Sequence, residues 1–380
     1  MKKLVSALLA LTMVGSLAAC GSQNTPSASA SGSAGGEDGY KIVLISNQKS
    51  GDMGPVDAMF AGAKRAEADF GVTVKTMEVT DAASYEEEIR AMAKEGYDLI
   101  LTTFSPMTEA TKAVAADYPD VKFAAVFQNI NVDGESYPNV WDTEYRGEEC
   151  TYVTGVIAAT LSESGILGYI SGDQAAGVCE ACSGFMQGAL SVDPDVDVKF
   201  MSVDSYEDPA KAKEIANAMI NAGVDAFQTD AGNSQIGVIE AANEAGVYVS
   251  GDVSDNSALC PDGFYAYMGI DFGENIYLEV KQLVLRNFPG GEHGYMNIAS
   301  GTYFVDTALL DALAEKMPEK ADKFQAAKEA GEAAMAGIKD GSLQVFAGPL
   351  KGVNSNGDTL ELAEGESFAE SDVAGGKTRG

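Results

Sequence analysis

The chain has 380 residues, a formal net charge of −32 and a single histidine, and 46% of its residues are hydrophobic. A polyanion of this size repels nucleic acid and anionic lipid headgroups, which are bound largely through Lys and Arg, so neither is a partner. The acid excess reads as solubility in a crowded extracellular layer.

Lys2 and Lys3 precede a mostly apolar run, Leu4 to Ala19, that closes as Leu17-Ala18-Ala19-Cys20. The run is short of the roughly 20 residues that span a bilayer, and its charged start and small-residue exit predict a signal peptide over 1–19. A cysteine directly after the small residues resembles the lipobox of bacterial lipoproteins. That resemblance implies acylation of Cys20 and a lipid-anchored protein on the extracytoplasmic face of the cell membrane. Residues 20–39 are Gly, Ser, Ala and polar side chains without an apolar period, a flexible linker.

From Tyr40 the composition is globular, and the remaining length is enough for two lobes with their own cores. Short apolar runs alternate with helical stretches, the signature of βαβ units and a parallel sheet. Strands are predicted at 41–46, 72–79, 97–103 and 121–127, with helices near 56–70, 85–95 and 107–117. A second set of strands follows at 166–171, 196–203, 224–230 and 247–251, with helices near 183–191, 209–222 and 234–245. KIVLIS answers ILGYIS, VTVKTMEV answers VDVKFMSV and YDLILTT answers VDAFQTD at nearly one offset, which argues for two similar α/β lobes in tandem. Beyond 252 come a strand at 265–268, a helix at 272–288, a strand at 295–299, a long helix at 306–339 and a strand at 342–347.

The last stretch is too short for a third lobe, so it is expected to complete both lobes by crossing between them. The fold class is α/β, two doubly wound parallel-sheet lobes joined by hinge strands. Lobe 1 is assigned 40–145 plus about 252–300, lobe 2 146–251 plus about 301–350, and 351–380 a C-terminal tail that is unstructured from about Glu366.

Catalytic motifs are missing. No GxSxG, GxxxxGK[ST], HExxH or GxGxxG occurs, and no carboxylate pair is marked by spacing as an acid/base couple. His293 lies in the Gly-rich stretch PGGEHGY and reads as a surface residue. Cys179 and Cys182 form a CxxC after a predicted strand, a placement that can lower a thiol pKa. No second CxxC or histidine pair completes a zinc site, so these residues and Cys150 and Cys260 read as small fillers or a local staple. Neither a metal, a cofactor nor an enzymatic activity is expected.

The phrases KIVLISNQKSGDMG, EGYDLILTTFSPMTEATKAVAADYPDVKFA, GVIAATLSESGILGYISG, DPAKAKEIANAMINAGVDA, EAANEAGVYVSGDVSD and IKDGSLQVFAGPLKGVNSNG resemble the basic membrane protein (BMP) family. The resemblance runs from about Tyr40 to about Glu366. It implies a type I periplasmic-binding-protein (Venus-flytrap) fold, a small-molecule ligand, most often a purine nucleoside or purine base, and a partner ABC permease and ATPase. Some family features do not carry over: Asn47 to Asp57 holds no Phe, Phe127 and Gln128 stand where relatives place a base-reading acid, and Met268 stands where a ribose-contacting lysine is expected. The acid at the end of the hinge strand is kept as Asp252.

In open α/β sheets ligands sit outside the carboxyl ends of strands, so the loops between the lobes are the default site. Phe104, Phe127 and Trp141 are placed at or just past strand ends, suited to stack a planar ring. Asn47, Gln128 and Asn233 can each donate and accept, as base edges require. Asp52, Asp173, Asp230 and Asp252 are acceptors for sugar hydroxyls or ring N–H groups. Aromatics at strand ends equally serve as lobe core, and Asn47 and Asn233 equally shape turns or cap helices. The expected role is that of a monomeric receptor that closes on a ligand and delivers it to the permease. A receptor for a sugar-like metabolite and a sensor uncoupled from transport are the alternatives.

Overall fold

The computed structural model describes residues 39–51, 55–132, 134–174, 176–346, 350–353 and 359–362. The expected signal peptide, Cys20, nearly all of the expected linker and Asp52 lie outside the described residues. The first half of the folded chain runs β1 (Lys41–Ser46), α1 (Pro55–Phe70), β2 (Thr73–Glu78), α2 (Tyr85–Lys94), β3 (Leu99–Thr103), α3 (Thr108–Asp117), β4 (Lys122–Val126) and β5 (Val140–Tyr145). The second half repeats the plan with α4 (Gly147–Leu161), β6 (Ile166–Ser171), α5 (Ala176–Val192), β7 (Asp197–Ser202), α6 (Pro209–Asn221), β8 (Ala226–Asp230), α7 (Gln235–Ala245), β9 (Tyr248–Asp252) and β10 (Phe264–Ile270). The chain ends with α8 (Phe272–Val284), β11 (His293–Met296), β12 (Tyr303–Asp306), α9 (Ala308–Lys316), α10 (Ala321–Asp340), β13 (Leu350–Val353) and β14 (Thr359–Leu362).

Two six-stranded sheets result, ordered β11-β5-β4-β3-β1-β2 and β12-β10-β9-β8-β6-β7. The orders superimpose strand for strand, as the repeated phrases predicted. Pairing is parallel except where β12 runs antiparallel to β10. The central strands read as continuous apolar runs because helices cover both faces. In the first sheet Ile42, Leu44, Leu101 and Val126 face α1 and α8, while Val43, Ile45, Ile100 and Phe123 face α2 and α3. Gly62 lets α1 approach α8 closely: a Cβ there would lie 2.1 Å from the carbonyl oxygen of Gly273. In the second sheet Leu167, Tyr169 and Tyr265 face α4, α5 and α10, and Ile170, Phe227 and Val249 face α6 and α7.

The chain passes between the sheets at Tyr145–Gly147, Ile270–Phe272 and Met296–Tyr303. Arg146 N donates to Met296 O at 2.9 Å and Asp271 N to Thr302 O at 2.7 Å, which ties the three crossings into one narrow hinge.

The expected lobe boundaries shift. Residues 264–270 belong to the second sheet, because β10 pairs with β9 through Phe264↔Val249 and Met268↔Asp252. Only α8 and β11 return to the first sheet, and the chain then re-enters the second with β12. Pro318, which cannot continue a helix, divides the single long helix predicted at 306–339 into α9 and α10. No strand forms among the described residues of 342–347: α10 stops at Gly341, φ +78, and Leu343 N turns back onto Gly337 O. The predicted tail holds the antiparallel pair β13–β14. Besides β13 and β14, three elements escaped the sequence reading: α4, apolar on nearly every side, β5, whose VWDTEY lacks an apolar run, and the short β12.

Candidate functional site

The carboxyl ends of the two sheets face each other. On the first, β3 and β4 are followed by Phe104 (φ 64) and Phe127 (φ 56), both in the left-handed region that bulky residues rarely adopt. Phe104 N donates to Val126 O at 2.7 Å, which holds the turn. The two rings stack on each other, centroids 5.5 Å apart and 9° from parallel. Phe127 also meets Tyr145, the last residue of β5, at 5.2 Å, and Phe272, the first of α8, at 5.3 Å. Tyr145 in turn touches Tyr303 of the second lobe edge-on at 6.2 Å, and half of its side is open. An aromatic wall therefore runs from the rim of lobe 1 to the hinge.

The second lobe presents acids. Asp230 ends β8 and Asp252 ends the neighbouring β9, so their carboxyl groups lie side by side. Tyr169 OH donates to Asp230 Oδ2 at 3.3 Å. Asp173, just past β6, accepts from Tyr206, whose ring covers Gly172 so tightly that a Cβ there would lie 2.3 Å from a ring carbon. Burial pushes the Asp230 carboxyl up to about 6, and Asp173 adds to the shift. Burial and then Asp230 push Asp252 well above the carboxylate range. Tyr145 is pushed up to about 12, first by burial and then by Asp230 and Asp252, so the lobe 1 wall stands within charge range of the lobe 2 acids.

Of the residues expected at the site, Phe104, Phe127, Asp173, Asp230 and Asp252 converge on this cleft. Asn47 lies at its edge after β1, its N–H donating to Thr103 Oγ1 at 3.3 Å. Asn233 is exposed in the turn after β8, with both amide hydrogen bonds spent on the Glu207 carboxylate at 3.1 and 2.9 Å. Gln128 does not reach the cleft. It is buried, with Nε2 on Thr102 O at 3.0 Å and Thr102 Oγ1 at 2.9 Å, bracing the sheet on the α3 side.

Trp141 is also elsewhere. It is the second residue of β5, about 13 Å along the strand from Tyr145 at roughly 3.3 Å per residue, and packs edge-on against Phe288 at 6.0 Å and over Gly294. A strand read at 140–145 would have pointed to Tyr145 instead. Tyr206 was missed as well, although it lies two residues before Asp208, where the family phrase DPAKAKEIANAMINAGVDA begins.

Met268 is a buried core residue paired with Asp252, so no cation stands at that position. Arg146, next to Tyr145 in sequence, stacks over Tyr295 at 3.8 Å and pairs with Glu148 at 3.1 Å. His293 starts β11 rather than a loop, its Nδ1 2.6 Å from Asp142 Oδ2 in the body of lobe 1. Cys150, Cys179, Cys182 and Cys260 are buried thiols, and among the described residues no disulfide joins them. No group of His, Cys, Asp and Glu among those residues could hold a metal ion. No helix of the described residues is long and apolar enough to cross a membrane.

The sequence is similar to a purine-binding protein of Brucella abortus, 30% identical over 84% of this chain and 87% of the relative. It is 28% identical to an ABC transporter nucleoside-binding protein of Lactococcus lactis over 64% of this chain and 69% of the relative. An ABC transporter solute-binding protein from Conexibacter woesei has a similar fold, with a TM-score of 0.62 at 19% identity over 80% of this chain and 98% of that one. The family profile of PnrA-like ABC transporter substrate-binding proteins matches residues 40–345. Two duplicated sheets, three hinge crossings and an aromatic wall facing acids across a cleft are the parts such a receptor needs, and the chain belongs to this Bmp family of ABC transporter substrate-binding proteins.

Proposed function

We propose that the protein captures a purine nucleoside or purine base between its lobes and hands it to a membrane permease and its ATPase, with Cys20 as a lipid anchor and the 20–39 linker as a leash. The observation that carries the ligand class is the open ring of Tyr145, backed by Phe127 and Phe104 and facing Asp230 and Asp252. A heteroaromatic base stacked on such a side chain gains about 1–3 kcal/mol, and the acids accept from its N–H groups or from sugar hydroxyls. The names of the Brucella and Lactococcus relatives point to the same class.

The protein acts by binding as a monomer, without catalysis. A ligand that touches both lobes favours the closed state by its differential affinity, and closure about the hinge buries it. The lipid would need more than one acyl chain to hold firmly.

A thermal-shift screen against nucleosides, nucleobases, simple sugars and amino acids tests the reading. A ligand at about 100 times its Kd adds about 2.7 kcal/mol, so a melting point raised by several degrees with adenosine, inosine, guanosine or a free purine supports it. A rise with sugars alone moves the ligand to the sugar-like alternative.

A further inference from the structure

The second-lobe side of the cleft is built from acceptors. Asp230 and Asp252 end neighbouring parallel strands, each two residues past the paired Gln228 and Ser250, so that their carboxyl groups lie side by side at the cleft. Two carboxylates held side by side repel each other when both are ionised, and one proton held between them relieves that repulsion. With that proton turned inward, the oxygens left toward the cleft only accept.

The groups facing the pair come from every neighbouring element: Tyr169 of β6, Asp173 after it, Tyr206 after β7, Tyr145 of β5, Tyr303 of β12 and the Cys150 thiol of α4. None of them is basic. Met268 occupies the register position beside Asp252, and Arg146 is held by Tyr295 and Glu148. Tyr169 and Tyr206 spend their O–H groups on Asp230 and Asp173, so a carbonyl, carboxylate or phosphate turned toward the paired acids meets lone pairs and negative charge. An N–H or O–H edge meets acceptors that strengthen as the shared proton leaves.

We propose that Asp230 is a specificity-determining residue: paired with Asp252, it selects ligands that turn hydrogen-bond donors toward the second lobe and links their capture to release of the shared proton. This rests on the interlobe cleft being the ligand site. The balance is simple: the singly protonated pair and the ligand give the ligand complex of the ionised pair, and the proton passes to water. No covalent bond in the ligand changes. Because ligand and proton compete, affinity rises with pH, by up to about tenfold per pH unit for one proton released.

The experiment is calorimetric titration of the purified protein with adenosine, inosine and guanosine from about pH 5.5 to about pH 8.5, in buffers of different ionisation enthalpy so that proton release is read directly. Wild type should bind more tightly as the pH rises and release a proton. Asp230→Asn, which removes the second charge and leaves only burial to hold Asp252 protonated, should show a weaker pH dependence and release a smaller fraction of a proton. Equal pH dependence in both proteins, or wild-type affinity that falls with rising pH, overturns the proposal.

If no nucleoside binds wild type at any pH, the purine reading fails, and the proton is examined without ligand. The infrared carbonyl band of protonated carboxyl groups at neutral pH should then lose intensity in both Asp230→Asn and Asp252→Asn, over a background from Glu148 and Glu279. A band unchanged by either substitution overturns the shared proton.

Discussion

Phe127 and Val253 hold the same place in the two halves, the residue directly after β4 and β9, and both adopt the left-handed backbone at φ 56 and 63. The duplication thus extends from strand order to a strained turn at each lip of the cleft. Phe127 has a reason for its strain, since the turn aims its ring at Phe104, Tyr145 and Phe272. Val253 is nearly half exposed and has no ring to aim. Replacing this β-branched residue by glycine removes the clash of Cβ with its own backbone. Val253→Gly is expected to stabilise the protein by about 0.5–1 kcal/mol, read as a higher urea midpoint; a lower midpoint would show that the turn is not strained.

Tyr145 and Trp141 separate binding from stability along one strand. Tyr145→Ala removes the exposed ring at the cleft and should weaken nucleoside binding about tenfold or more, as expected for losing a stacking contact of about 1–3 kcal/mol. Trp141→Ala should leave affinity unchanged while costing about 2–3 kcal/mol of stability through lost packing on Phe288. Calorimetric titration beside denaturant unfolding of each variant decides, and the reverse pattern would mean that the ligand sits at the other end of β5.

Glu279 is fully buried under the first sheet, with Oε1 accepting from Asn275 Nδ2 at 3.1 Å and Thr143 Oγ1 at 3.4 Å and with Oε2 unpartnered among the described residues. Burial raises its carboxyl from 4.5 to about 8. A group raised on folding stabilises while protonated: its contribution is complete below the ordinary value and is lost as the pH climbs through about 8. Glu279→Gln resembles the protonated acid, so it should match wild type near pH 5 and exceed it by on the order of a few kcal/mol above pH 8. Stability curves that stay parallel across that range would contradict the assignment.

Asp142 behaves in the opposite sense. Burial alone would raise its carboxyl, but His293 and the backbone N–H groups of Ile130 and Asn131 outweigh it and hold it below the ordinary 3.8. A lowered carboxyl stabilises above its ordinary value, and that contribution is lost as the pH falls through 3.8 and below. Asp142→Asn should cost on the order of 2–3 kcal/mol at neutral pH and less in acid. A cost independent of pH would point to shape rather than charge.

Much of the architecture was legible in the chain because apolar runs with helical spacers encode buried parallel strands locally. KIVLIS and ILGYIS became β1 and β6 without adjustment, and the repeated phrases foretold two sheets of one order. Asp230 and Asp252 were readable as cleft residues because each ends such a run. What failed was β5, where VWDTEY alternates polar and apolar residues and buries an aspartate satisfied by Ile130 and Asn131 of the preceding loop and by His293 far along the chain. With β5 unread, Trp141 stood for Tyr145, and Gln128 was given to the cleft although a buried amide goes where Thr102 offers partners.

The sequence by itself determined the class, the duplication and the family, because these rest on periodicity and wording that each segment carries alone. Only the tertiary structure decided which carboxyl groups meet, which aromatic ring stays open and where the lobes exchange strands. Those facts depend on register between segments far apart in the chain: Met268 beside Asp252, Tyr145 against Tyr303, Asp230 against Asp252. No single segment contains the pairing energy that fixes them.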